Sequence, residues 1–165
     1  MKLELSKATE VQLAPVPGPK VAAPVAKLTV AQRVRQAERL AQVRPELVEA
    51  YKVALRRWVG DPVLMALGLP IVTEGYRSAA RQDELYTHGR SAPGPIVTYK
   101  RGGESKHNAL PSRALDVAVL LADGEVSWSP TLLGKFARLM KAADARVRWG
   151  GDFPGDFKDR PHFEV

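Results

Sequence analysis

The chain carries three histidines, His88, His107 and His162, and no cysteine. A thiol nucleophile, a disulfide framework and Cys-ligated zinc are therefore excluded, and any metal has to be held by imidazole and carboxylate. In Arg113-Ala114-Leu115-Asp116-Val117-Ala118-Val119, strict alternation sends Leu115, Val117 and Val119 to one face of a strand and leaves Asp116 on the other, between two alanines. His107 lies nine residues upstream, after a Gly-Gly-Glu-Ser-Lys loop. Further along, Asp159-Arg160-Pro161-His162 leads into Phe163-Glu164-Val165, and the proline supports a bend that can aim Asp159 and His162 at one point. Two histidines and one aspartate suffice for a catalytic zinc that keeps its fourth position for water, and a further carboxylate can deprotonate that water. A lone histidine or a strand aspartate is also a common structural residue, so composition by itself leaves both readings open.

These residues need a scaffold. Residues 1 to about 27 alternate Pro, Ala and Val with Lys without a lasting period, and read as an extended, flexible basic tail ahead of a domain over 28–165. Thr29 can cap a helix whose positions Val30, Val34, Ala37, Leu40 and Ala41 form an apolar stripe, and Pro45 opens a second with Leu47, Val48, Tyr51, Leu55 and Trp58. Gly60-Asp61-Pro62 breaks it, a short apolar turn follows, and residues 69–73 read as a buried strand. Ser78 can cap a helix to about Tyr86, and glycines and prolines then mark a long loop. Residues 113–120 form the clearest strand, Asp123-Gly124 a turn, and Ser129-Pro130 opens a helix with Leu132, Leu133, Phe136, Leu139 and Met140 on its apolar face. Short strands near 146–149 and 161–165 complete an α+β fold: a small antiparallel sheet with flanking helices. The apolar face of the 113–120 strand is expected to pack under the last helix, leaving the Asp116 face as a cleft wall. Trp149 is either a wall of that cleft or core packing, and Glu164, on the same strand face as His162, either orients its imidazole or faces water. Arg77, at a strand end, could simply pair with Glu74, and His88 reads as a solvated loop residue.

With 165 residues and 45% hydrophobic content, the chain can bury a core without staples. No stretch is apolar enough to span a membrane, and the prolines after Lys2 and Lys7 interrupt any secretory signal. The formal charge is +7, with eleven basic against six acidic residues up to Leu69. Such a surface attracts polyanions without choosing among them. Aromatic residues are not interleaved with the basic ones, and no nucleic-acid-binding signature is present, so nucleic acid is not an expected partner.

Ser105-Lys106-His107 with Ala114-Leu115-Asp116, then Trp149-Gly150-Gly151-Asp152 and Asp159-Arg160-Pro161-His162-Phe163-Glu164, resemble zinc peptidases that cut bacterial peptidoglycan stem peptides. Gly75-Tyr76-Arg77-Ser78 and Tyr86-Thr87-His88-Gly89-Arg90 fit the same pattern. More narrowly, the chain is similar to the L-alanyl-D-glutamate peptidases of bacteriophage endolysins, in the group that also holds D-alanyl-D-alanine carboxypeptidases and dipeptidases and the hedgehog domain. The resemblance runs over roughly residues 40–165 and leaves out the proline-rich tail. It implies His107, Asp116 and His162 as zinc ligands, Asp159 as general base, Arg77 steadying the carbonyl oxygen, and Ser105 assisting in the substrate pocket. His107 and Asp116 stand further apart here than in the commonest family pattern, with Pro111-Ser112 making up the extra length. The implied protein is a monomeric hydrolase of peptidoglycan, held in the host cytoplasm until release, its basic N-terminal region aiding approach to an anionic envelope. The same metal chemistry would serve a D-alanyl-D-alanine carboxypeptidase or dipeptidase, and the same fold a non-catalytic wall-binding module.

Overall fold

The computed structural model describes residues 26–165. Five helices surround a five-stranded antiparallel sheet: α1 (Val30–Ala41), α2 (Pro45–Gly60), α3 (Pro62–Ala66), β1 (Leu69–Glu74), α4 (Ala79–Thr87), β2 (Ala114–Leu120), β3 (Val126–Ser127), α5 (Pro130–Ala143), β4 (Arg148–Trp149) and β5 (His162–Glu164). The α+β expectation holds. Strands run in the order β1-β2-β5-β4, with β3 pairing the far end of β2. The expected tail lies outside the described residues except for Ala26 and Lys27, and Ala26 is already buried against Ile71, Ala118 and Leu120. Among the described residues no helix is long and apolar enough to cross a membrane.

The alternation along β2 sorts its side chains as expected. Leu115 and Val117 enter the main core with Leu47, Tyr51 and Trp58 of α2, Leu133, Phe136 and Met140 of α5, and Phe163 of β5. The opposite face is only partly a cleft wall, because Ala118 and Leu120 are covered by Ala26 and Leu28, while Asp116 on the same face keeps only partial exposure. Two elements were not anticipated: α3, capped by the Asp61 carboxylate on Val63 N–H (2.8 Å) and Leu64 N–H (3.2 Å), and the short strand β3 after the Asp123-Gly124 turn.

α1 departs from its expected role. Val30 and Val34 are 78% and 51% exposed, and none of the helix's residues is fully buried. The helix is held by polar side chains: Gln36 exchanges two hydrogen bonds with the backbone of Val72 (3.0 and 3.1 Å), and Arg39 donates to the same carbonyl at 2.7 Å. β1 is an edge strand, and its outer backbone groups need partners more than the helix needs a greasy bed. Gly75, just after β1, permits this approach, since a Cβ there would lie 2.7 Å from the Arg39 carbonyl oxygen.

Trp58 is fully buried, stands edge-on to Phe136 and donates its indole N–H to the Gly68 carbonyl at 2.8 Å. Trp58→Phe keeps an aromatic ring but orphans that carbonyl, and is expected to cost about 1–3 kcal/mol. Urea melts should show a lower midpoint at unchanged slope; an unmoved midpoint would mean that water replaces the indole without loss.

Candidate metal centre

Antiparallel register sets a row of polar residues across three strands. Asp116 on β2 lies opposite His162 on β5 and, after an irregularity in β1, opposite Glu74 on the other side. Directly opposed residues point to the same sheet face. His107 arrives from above, on a 3-10 turn over Lys106–Asn108 capped by Ser105, whose hydroxyl accepts from His107 N–H at 3.3 Å.

The His107 ring is 1% exposed, and its Nδ1 lies 2.6 Å from the Gly75 carbonyl oxygen. A carbonyl only accepts, so Nδ1 carries the proton and Nε2 presents a lone pair. That Nε2 is 3.2 Å from Asp116 Oδ1 and 3.2 Å from His162 Nδ1, and the last two atoms are 3.4 Å apart. His162 Nε2 lies 3.2 Å from Glu164 Oε2, so a neutral His162 also turns its lone pair inward. The triangle of acceptors calls for a positive charge at its centre, and His107, Asp116 and His162 can together hold a metal ion. In the metal-free chain a proton answers part of this demand. Burial disfavours charging His162, but its hydrogen bonds to Asp116 and Glu164 outweigh that and raise its pKa to about 9. Asp116 pays a burial penalty too, which the two imidazoles overcome, holding it well below the usual carboxylate range.

Arg77 braces the remaining oxygen of Asp116. It is 9% exposed and donates to Asp116 Oδ2 at 3.0 Å, to Glu74, and to Gln82 Oε1 at 2.9 Å, while its Nε is buried without a partner among the described residues. The pairing with Glu74 is thus present together with the pairing to Asp116, and the guanidinium is engaged at both terminal nitrogens. Asp159 sits on the turn before β5. Its carbonyl accepts from His162 N–H at 3.1 Å, and its carbonyl oxygen would lie 2.1 Å from a Cβ on Gly150, so only glycine fits there. The Asp159 carboxylate has no hydrogen-bond partner among the described residues. Burial and the Asp116 charge push its pKa up, opposed by His162, His107 and Arg77, so the same cluster sets its protonation.

A cleft of about 380 Å³ opens beside His162 and Glu164, with Ser105 and Lys106 on one wall and Phe153 and Pro154 on another. Trp149 does not line it. Its indole N–H donates to the Arg160 carbonyl at 2.6 Å, its ring packs on the main core, and it faces a separate groove along α5. Trp149 therefore fixes the segment between Asp159 and His162 from behind. His88 caps the C-terminal end of α4, outside the cluster.

No family model matches the chain. It is 41% identical over 102 residues to the peptidoglycan L-alanyl-D-glutamate endopeptidase CwlK of Bacillus subtilis (strain 168), covering 58% of this chain and 59% of that protein. The chain thus spans less than two thirds of the length of this curated relative. Among solved structures it is similar to the Serratia marcescens L-Ala D-Glu endopeptidase ChiX, with a TM-score of 0.59 and 32% identity over 79% of this chain and 86% of the other. The chain belongs to the L-Ala D-Glu endopeptidase family.

In this endopeptidase-family chain, several residues that position the site carried no signal in the sequence. Gln82, buried in α4, accepts from Arg77 and donates to Thr98 Oγ1 (3.1 Å) and the Lys100 carbonyl (2.7 Å), tying the long loop to the guanidinium. Ser112 is fully buried, bonds the Ala114 carbonyl at 2.7 Å, and joins the backbone between α1 and α2 through Gln42 and Arg44. Asn108 donates to the Arg77 carbonyl at 2.8 Å.

Because a cation must displace the proton on His162, its apparent affinity should fall about tenfold per pH unit as pH drops below about 9, with about one proton released per ion bound. Competition with a chromophoric chelator between about pH 6 and 8 measures this slope; a flat profile would mean that His162 is already neutral. Glu164→Gln removes the charge behind His162 and should weaken metal affinity about 10–100-fold in the same assay.

Proposed function

We propose that this chain is a zinc-dependent peptidase that hydrolyses peptidoglycan stem peptides at the L-alanyl-D-glutamate bond. The observation that carries this reading is the convergence of His107 Nε2, Asp116 Oδ1 and His162 Nδ1, in a family whose named members are L-Ala D-Glu endopeptidases. Zinc favours tetrahedral nitrogen and oxygen ligands at about 2.0–2.1 Å, which places neighbouring ligand atoms about 3.3 Å apart. The separations of 3.2, 3.2 and 3.4 Å fit that edge length. Three protein ligands also leave one position for water or substrate, as catalytic zinc sites do. Bound there, zinc supplies Lewis acidity toward the scissile carbonyl and acidifies water.

The chain's own groups divide the remaining work. Asp159, with a raised pKa and no competing hydrogen bond, accepts a proton from the attacking water and returns it to the leaving amine as the C–N bond breaks. Arg77 orients Asp116 and keeps positive charge behind it, and contact with the carbonyl oxygen of a substrate would draw on the same guanidinium that holds Glu74 and Asp116. Glu164 holds the His162 tautomer, Ser105 caps the turn that presents His107 and lines the cleft, and Trp149 supports the Asp159 segment. The N-terminal excess of basic residues favours approach to an anionic envelope, where the substrate lies.

Purified peptidoglycan incubated with the protein, followed by mass spectrometry, tests the assignment. New D-glutamyl amino ends are expected, abolished by a chelator and restored by zinc. Asp159→Ala should retain its metal while losing about 10²–10⁴-fold in rate. Release of D-alanine instead would move the activity to carboxypeptidase chemistry, and an intact polymer with zinc bound would make the chain a wall-binding module.

A further inference from the structure

The cleft beside the metal centre has an uneven charge lining. Lys100, Glu104, Lys106, Arg148, His162 and Glu164 all contribute to it. Most of these charges are already committed. Glu164 is shared between His162 and Arg148, the latter at 3.1 Å, and Glu104 turns back on its own loop to accept from the Arg101 N–H at 2.8 Å. Lys106, half-buried, and Lys100, exposed, form no ion pair among the described residues. Both are positioned from behind. Lys106 opens the capped turn that carries His107, and the Lys100 carbonyl is gripped by buried Gln82. Lys106 and Lys100 thus line a cleft that ends at the His162 imidazole, and neither is ion-paired to an anion of the protein among the described residues, though Lys106 lies near enough to Glu164 to help hold that carboxylate's pKa down.

The chemistry of the proposed substrate supplies one. In a γ-linked D-glutamyl stem, the carbon bonded to the scissile nitrogen bears an α-carboxyl group, while the peptide continues through the γ-carbonyl. That carboxylate lies two bonds from the nitrogen being released, so a substrate seated at the metal centre must bring it into the adjoining cleft. Its uncharged counterpart, the α-carboxamide, has the same shape and two donors where the carboxylate has only acceptors. Ammonium groups distinguish the two because they donate without accepting.

We propose that Lys106 and Lys100 form a carboxylate-reading subsite that selects stem peptides whose D-glutamate α-carboxyl is free over those in which it is amidated. The proposal rests on the L-alanyl-D-glutamate reading of the preceding section and adds a chemical preference to it. Lys106 is the principal contact, since it is half-buried and adjoins His107 in the chain, and Lys100 closes the subsite from the loop.

Two soluble muropeptides that differ only at this group, one with the free acid and one with the carboxamide, test the inference on the zinc-loaded full chain. The expected ratio of kcat/KM is about tenfold or more in favour of the free acid, the scale of a hydrogen bond to a charged group. Lys106→Gln should narrow that ratio to within about twofold of unity, chiefly through KM for the acid, and Lys100→Gln should narrow it in part. Equal cleavage of both peptides by the unaltered protein overturns the inference alone and leaves the peptidase reading standing. So does a Lys106→Gln variant that slows both peptides in proportion, the mark of a structural role. Cleavage of neither peptide, with zinc bound, overturns the peptidase reading and this inference with it.

Discussion

The register between β2 and β5 is the constraint on which the rest of the site depends. Asp116 meets His162 only because Leu115 pairs with Phe163, and both of those are driven into the core beneath α2 and α5. A strand slip of one residue would turn Asp116 inward and a leucine or valine outward, exchanging a useful carboxylate for a buried uncompensated charge. The apolar packing therefore does more than stabilise the domain. It specifies, to within one residue, which side chains face each other across the sheet.

Around that row the protein has spent polar groups to hold other polar groups. Asp116 is gripped from both sides, by imidazoles on one oxygen and Arg77 on the other, and Arg77 is itself held by Glu74 and Gln82. Each of these groups is costly to bury alone and tolerable only as part of the set. The set leaves one demand unmet, for positive charge between three inward-facing acceptors. The loop that lines the cleft joins the same network through Gln82, so the shape of the cleft and the orientation of Asp116 are mechanically linked.

The amino-acid sequence discloses the parts of this arrangement that repeat with a short period or cluster within a few residues. Alternation along residues 113–120 defined β2 and the isolation of Asp116, and Pro161 beside His162 marked the last strand with its neighbouring carboxylates. What it did not disclose is contact between distant residues through backbone atoms. The Gly75 carbonyl that fixes the His107 tautomer, buried Ser112 linking the α1–α2 junction to β2, and Gln82 beneath the loop are ordinary residue types at unremarkable positions. α1 shows the opposite failure. Only the Leu40 end of its apolar stripe reaches the core, and the helix is otherwise held on the backbone edge of β1 by Gln36 and Arg39. Trp149 sits at the expected place in the chain but supports the site from the core side, a distinction that depends on which way a two-residue strand is rolled.

The spread along the chain of the three residues that could hold a metal ion has a topological consequence. His107 and Asp116 belong to the middle of the domain, whereas His162 belongs to its last strand, with α5 and two short strands between them in sequence. An ion shared by all three would close a long loop and add a tie to a three-residue strand that pairs with β2 on one side and β4 on the other. In a chain without cysteine, it would act as the covalent staple the sequence lacks, restricting the unfolded ensemble as well as joining two strands. The final strand is then the element whose docking reports whether the staple is in place.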